Sequence, residues 1–203
     1  MKPACGKRRP VFAGRWERAG DFAAASGDGV SYFEDNRRRF QWVMYVNKRN
    51  KLWTYAVAVA IPLAVGALAG FLTWEGVTDF QTFAKSSLTP PGWVFPLVWT
   101  ILYTLMGISL ARIWMAPEGA ERSRGLSLFL YQLIFNFFWS IFFFNMNAFG
   151  FSLLWILALL VLIGLMIRSF YRVDKSAALL QVPYFLWVTF ATYLTYTVWK
   201  LNG

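Results

Sequence analysis

Any chemistry in this sequence has to come from indoles, phenols and amides, because the usual reactive side chains are nearly absent. The 203-residue chain holds 11 Trp, 9 Tyr and 20 Phe, but no His and a single cysteine, Cys5. Without His or a second Cys there is no ligand set for zinc, iron or copper. No arrangement of acid, base and nucleophile suggests a hydrolase or transferase either. What remains is recognition. Trp99, Tyr103 and Met106 recur at helical spacing, as do Asn136, Trp139, Ser140 and Phe143, and again Tyr184, Trp187, Ala191 and Thr195, so each set occupies one face of a helix. Such faces can enclose a flat guest, with indoles stacking or edge-packing on it and the Asn136 amide bonding a polar edge. They can equally form a packed aromatic core. An amide in hydrocarbon needs a partner in either case, so the Asn136 face should point into a bundle or at a ligand. Ala191 leaves room beside the Trp187 ring.

The elements that carry these faces are long and apolar. With 58% hydrophobic residues and a mean hydropathy of +0.44, the chain is more apolar than a water-soluble domain of its size can bury. Runs at Leu52 to Trp74, Trp93 to Trp114, Leu126 to Phe144, Phe149 to Ile167 and Leu179 to Trp199 each approach the ~20 residues that cross a ~30 Å hydrocarbon layer as a helix. None contains an internal Asp or Glu, and Arg112 and Arg168 sit at ends where a long side chain can snorkel. The ten-residue alternation of a β-barrel is missing. The predicted fold class is therefore all-α, an integral membrane bundle of five transmembrane helices. Trp53, Trp74, Trp93, Trp114 and Trp199 lie at span ends and suit an interfacial belt. Trp99, Trp139, Trp155 and Trp187 lie inside spans. The first three fall at one depth, about 8 to 9 Å from the outer ends at helical rise, and are expected to share a layer.

Charge orients the bundle. The net charge of +10 comes from residues flanking apolar runs, a pattern of membrane topology and not of a nucleic-acid partner. Lys48, Arg49, Lys51, Arg112, Arg122, Arg124, Arg168, Arg172 and Lys175 fall on one side, Lys85 and Lys200 on the other. The N-terminus is thus expected in the cytoplasm and the C-terminus outside. Residues 1–43 mix basic and acidic side chains without apolar periodicity and without a signal-peptide core. They read as a disordered basic extension ahead of the 44–203 membrane domain, and Met44 is an alternative start. The Arg37, Arg38 and Arg39 cluster is either an anionic-lipid contact or part of a tail without dedicated function. Pro62 and Pro183 are expected to bend the first and fifth spans. Gly66 and Gly70 offer a close-contact seam, between subunits or within one.

Three stretches carry a resemblance: KSSLTPPGWVFPLVWTILYTLMG from Lys85, FNFFWSIFFF from Phe135 and VPYFLWVTFATYLTYTVWKLN from Val182. With PPGW, WTxLYxLMG, FNxxWS and PYxxWxxFATYLxYxxWxLN in order, the chain from Trp53 to Asn202 resembles the TspO/MBR family of tryptophan-rich sensory proteins, related to the translocator protein or peripheral-type benzodiazepine receptor. The resemblance implies five transmembrane helices in a bacterial cell membrane, frequent homodimers, and a pocket that binds porphyrins, haem and synthetic hydrophobic ligands, with no required cofactor. By the same resemblance the ligand-binding positions are Phe80, Pro90, Trp99, Asn136, Trp139, Ser140, Trp187 and Ala191, and Tyr103 joins them on the Trp99 face. Trp99 and Trp187 match the positions linked to light-dependent porphyrin breakdown in relatives. Leu194, Tyr196 and Lys200 match the family's sterol-recognition pattern, itself a weak signal. There are departures. Ser86 and Leu88 stand where many relatives have proline and tryptophan, Phe80 where some have tyrosine, and Trp155 where several have an acidic residue.

Three functions follow from this reading. The first is a receptor or sensor for a tetrapyrrole, with the loop from Asp79 to Gly92 covering the mouth of the pocket. Metal-free porphyrin suits it better than haem, whose iron would lack a histidine. The second is photo-oxidative porphyrin degradation with Trp99 or Trp187 as redox partner. The third is transport of porphyrin or small molecules, ranked last because no ionisable residue lies near the midplane.

Overall fold

The computed structural model describes the backbone of residues 29–202 and the side chains of residues 50–202, apart from that at position 81. Among the described residues seven α-helices run in order: α1 Gly29–Leu72, α2 Trp74–Asp79, α3 Val94–Trp114, α4 Ala120–Ser140, α5 Phe149–Val173, α6 Lys175–Leu179 and α7 Val182–Asn202. A short 3-10 turn, Phe80–Thr82, follows α2, and α4 passes into a π turn, Ile141–Asn145. The chain divides after Lys51 into two units. Of the extension expected at residues 1–43, residues 1–28 lie outside the described residues, and the backbone is helical from Gly29.

Five segments are long and apolar enough to span a membrane: Asn50–Leu72, Val94–Trp114, Ala120–Asn145, Phe149–Val173 and Lys175–Asn202. They coincide with the five runs read from sequence and extend several of them by a turn, because charged residues at the basic end continue the helices past the apolar core. α5 is the central helix, with its broadest interfaces against α4 and α7. Gly125 of α4 lets the Phe170 ring come close, and Phe129 stacks on Phe170 with centroids 6.4 Å apart. On the other side, a Cβ at Gly107 of α3 would overlap the backbone of Val59 on α1, and one at Gly66 would overlap the Tyr103 ring. Gly66 therefore serves packing within the subunit, whereas a Cβ at Gly70 would meet nothing within 4 Å.

Two departures concern helix ends. The fifth span is not one bent helix: α6 ends at Leu179, a turn follows, and Pro183 is the second residue of α7. Proline there loses no helical hydrogen bond, so it starts a helix instead of kinking one. The C-terminal end of α4 widens into the π turn, with Met146 N donating to Ile141 O at 3.1 Å.

Polar clamps fix the basic end. Asp174 accepts from the backbone N–H of Ser176 and Ala177 at 2.9 and 3.1 Å, capping α6, and pairs with Arg112 at 2.8 Å. Partial burial acts to raise the Asp174 carboxyl, but the N–H bonds and the Arg112 charge outweigh it and hold the group below its ordinary value. Arg122 donates to the carbonyls of Ile113 and Trp114 at 3.2 and 2.8 Å, satisfying the last turn of α3.

Candidate functional site

The faces picked out by spacing do turn inward. Tyr103, Met106, Asn136, Trp139, Phe143, Tyr184, Ala191 and Thr195 are all buried. At their centre lies a chain of polar groups across three helices. Tyr103 OH donates to Asn136 Oδ1 at 3.2 Å, Asn136 Nδ2 donates to Tyr184 OH at 2.9 Å, and Tyr184 OH donates to Gln132 Oε1 at 2.8 Å. A network this deep is favourable because each link satisfies a group that hydrocarbon would leave bare. Asn136 thus finds its partners within the protein, and its amide is not left over for a guest. Two donors nearby are left over: Trp139 Nε1 and Gln132 Nε2 are buried without a hydrogen-bond partner.

Above the network, α3 and α7 meet through rings. Trp99 stacks on Tyr103 at 5.2 Å and meets Tyr184 edge-on at 6.2 Å. Trp187 meets Phe95 edge-on at 6.0 Å and Phe190 at 5.7 Å. Phe95 and Trp99 are one turn apart on α3, and Tyr184 and Trp187 one turn apart on α7, so the two indoles flank a single seam. Both remain half-buried. The helices touch little by backbone here; aromatic side chains do the bridging.

Trp139 belongs to a neighbouring cluster. It stacks on Phe143 at 5.1 Å, and Phe143 in turn packs on Phe80 at 5.2 Å. Phe80 also meets Phe144 edge-on, with Lys85 Nζ 5.1 Å from its ring centre. Phe80 is therefore linked to Trp139 through one intervening ring. Among the described residues no ring contact joins Trp99, Trp139 and Trp187 directly.

Trp155, expected in the same layer, is placed elsewhere. It stacks on Phe135 at 4.3 Å, and its Nε1 donates to the Phe135 carbonyl at 2.8 Å, pinning α5 to α4. Equal depth along separate helices does not bring rings on different faces together. The sterol-pattern residues also diverge: Leu194 is buried, while Tyr196 is exposed and edge-packs on Trp199 at 6.3 Å. Two residues apart on a helix means roughly opposite sides.

The covering loop is anchored to α7. Asn202 accepts from Ala84 N at 3.0 Å and donates back to Ala84 O at 2.9 Å, and the Ser86 and Tyr193 hydroxyls lie 3.4 Å apart. Pro90 is half-buried within this loop. The loop that carries Ser86 and Leu88 is thus held at one end by an amide clamp. Sequence reading passed over Asn202, although it closes the WKLN motif. Also unanticipated is an open cleft of about 1030 Å³ between the end of α1, α2 and the π turn, lined by Phe71, Trp74, Glu75, Asp79 and Phe144 among others. No group of three or more metal-ligating side chains occurs among the described residues.

Comparison with known proteins agrees with this architecture. The model of the TspO/MBR family matches residues 58–200. The tryptophan-rich protein TspO of Chlorobaculum tepidum is 39% identical over 157 residues, covering 75% of this chain and 98% of that protein. Protein CrtK of Rhodobacter capsulatus is 34% identical over 73% of this chain and 90% of its own length. The human translocator protein is 31% identical, over 74% and 91% respectively. The matched residues take in the greater part of all five spans, the Asn136 network and the α3–α7 seam, though not Asn202, and on that footing this chain belongs to the TspO/MBR family.

Proposed function

We propose that the protein is a membrane receptor or sensor that takes a porphyrin, protoporphyrin in preference to haem, at the α3–α7 seam beneath the loop from Asp79 to Gly92. The observation that carries this reading is the pair of half-buried indoles, Trp99 and Trp187, facing one seam that rings bridge and backbone does not. A planar guest can replace ring–ring contacts at such a seam with contacts of the same kind, so entry costs little packing. Ala191, small and buried one turn beyond Trp187, adds little bulk beside that ring. Asn136 sets the Tyr103 and Tyr184 rings behind the indoles. Relatives named as sensory proteins are consistent with a binding role. In this reading the protein sits in a cell membrane with its N-terminus and the Arg-rich end on the cytoplasmic side.

The test is titration of the detergent-solubilised protein with protoporphyrin, read from the porphyrin absorption band. Replacing both seam indoles, Trp99→Ala with Trp187→Ala, should weaken saturable binding about tenfold or more, at the roughly 0.5–1.5 kcal/mol an aromatic pair contributes beyond burial. Unchanged affinity in the double variant overturns the proposal.

A further inference from the structure

At the basic end, α4 and α5 leave a pocket of about 170 Å³ lined by Glu121, Arg124, Leu165, Arg168, Ser169 and Arg172. Three arginines at this end already have structural work. Arg112 is paired with Asp174, Arg122 caps α3, and Arg172 pairs with Glu121. Ser169 Oγ holds the same glutamate, donating to its backbone carbonyl at 2.8 Å and to its carboxylate at 3.1 Å. Arg124 and Arg168 make no ion pair or hydrogen bond among the described residues. The pocket thus joins three guanidiniums to one carboxylate that is already neutralised, an excess of two positive charges around a small space.

Its depth is informative. α5 has 25 residues, about 37 Å at helical rise, against a ~30 Å hydrocarbon layer. Counted from Phe149 at the opposite interface, Arg168 falls about 28 Å along and Arg172 about 35 Å, which is headgroup depth. Leu165, one turn closer to the hydrocarbon, is 40% exposed and offers apolar surface below the charges. The two helices are held together next to these residues, where Phe129 stacks on Phe170 and the Phe170 ring closes on Gly125. A ligand suited to this arrangement has a phosphate at the guanidiniums and an acyl chain running along Leu165. We propose that the pocket is a specific site for the phosphate headgroup of an anionic membrane phospholipid, with Arg124 and Arg168 as its principal donors. Arginine forks match phosphate oxygens in pairs, and basic pockets between transmembrane helices hold such headgroups. This site is independent of the seam that the porphyrin reading uses.

Native mass spectrometry of protein released from mixed phosphatidylglycerol and phosphatidylcholine nanodiscs tests it. Wild type should retain phosphatidylglycerol in preference to phosphatidylcholine. Arg124→Gln with Arg168→Gln should reduce that preference about thirtyfold, at about fivefold per guanidinium near the surface. The charge-keeping pair Arg124→Lys with Arg168→Lys should retain part of it, less than wild type and more than the glutamine pair, which separates loss of binding from loss of fold. Lys51→Gln with Lys175→Gln removes as much charge and should change it little. Equal loss in that control would make the preference a general field effect and overturn the site. Displacement of the lipid by inorganic phosphate at matching concentration would instead assign the pocket to a soluble anion, also against the proposal.

Discussion

Trp155 and Trp187 are the same residue type inside adjoining helices, and their surroundings show how one bundle puts indoles to two uses. Trp155 is held on several sides: its face lies on Phe135, Phe142 meets it edge-on, Phe151 packs on it at a tilt, and its N–H is bonded to a backbone carbonyl. Trp187 is half-buried like Trp155, but it has only edge and tilted contacts, with Phe95 and Phe190, and no stacked ring. The α4–α5 side is thus closed by glycine-permitted approach and stacked rings, and the α3–α7 side by rings alone. An indole count cannot separate these uses; the direction of each ring and the fate of its N–H can.

The contrast breaks most visibly on the packed side. Trp155→Ala should cost about 3 kcal/mol of stability through lost packing and a lost hydrogen bond, measurable as a lower melting temperature in detergent. Porphyrin affinity of the folded fraction should stay within about twofold of wild type. A reverse pattern, with stability kept and affinity lost, would exchange the roles assigned to the two sides. Next in size is Tyr184→Phe. It removes the hydroxyl shared by Asn136 and Gln132 and leaves two buried amide groups short of a partner, at about 1 to 3 kcal/mol. Because Trp99 rests on Tyr103 and Tyr184, this variant should also weaken porphyrin binding, but less than loss of the indoles does.

Much of this division was legible in the sequence, and the illegible part has a physical cause. Helical spacing placed Tyr103, Asn136, Trp139, Tyr184 and Ala191 on inward faces, because a period of 3.6 fixes azimuth within one helix. It could not say how separate helices are rotated against each other, so Trp155 was grouped with Trp99 on depth alone. Nor could it say that Asn136 bonds two tyrosines, since an amide in hydrocarbon demands partners without naming them. The π turn at Ile141–Asn145 follows a run of phenylalanines that reads as ordinary helix. Pro183 was legible as a constraint, but whether it bends a helix or starts one depends on the turn at Leu180 and Gln181, which has no glycine to mark it.

Smaller effects sharpen the contrast. Asn202→Ala removes both bonds between α7 and the loop at Ala84. It should cost about 1 kcal/mol locally, appearing as faster hydrogen exchange in residues 83–93 and faster porphyrin release, with the melting temperature nearly unchanged. The smallest effect belongs to Asp174, far from the seam. Its folded-state carboxyl is held below the ordinary value, so it adds stability above the unfolded pKa of about 3.9, and that contribution is lost as pH falls through the folded value. The melting-temperature gap between wild type and Asp174→Asn, worth no more than about 1 kcal/mol for so exposed a pair, should be present at pH 7 and close below about pH 4. Porphyrin binding should not follow it.

Oxidative footprinting of the tryptophans, read by mass spectrometry with and without saturating protoporphyrin in the dark, tests the central claim most directly. The account predicts reduced labelling at Trp99 and Trp187 on binding and none of that change at Trp155. Protection at Trp155, or unchanged labelling at both seam indoles while porphyrin is demonstrably bound, would contradict it.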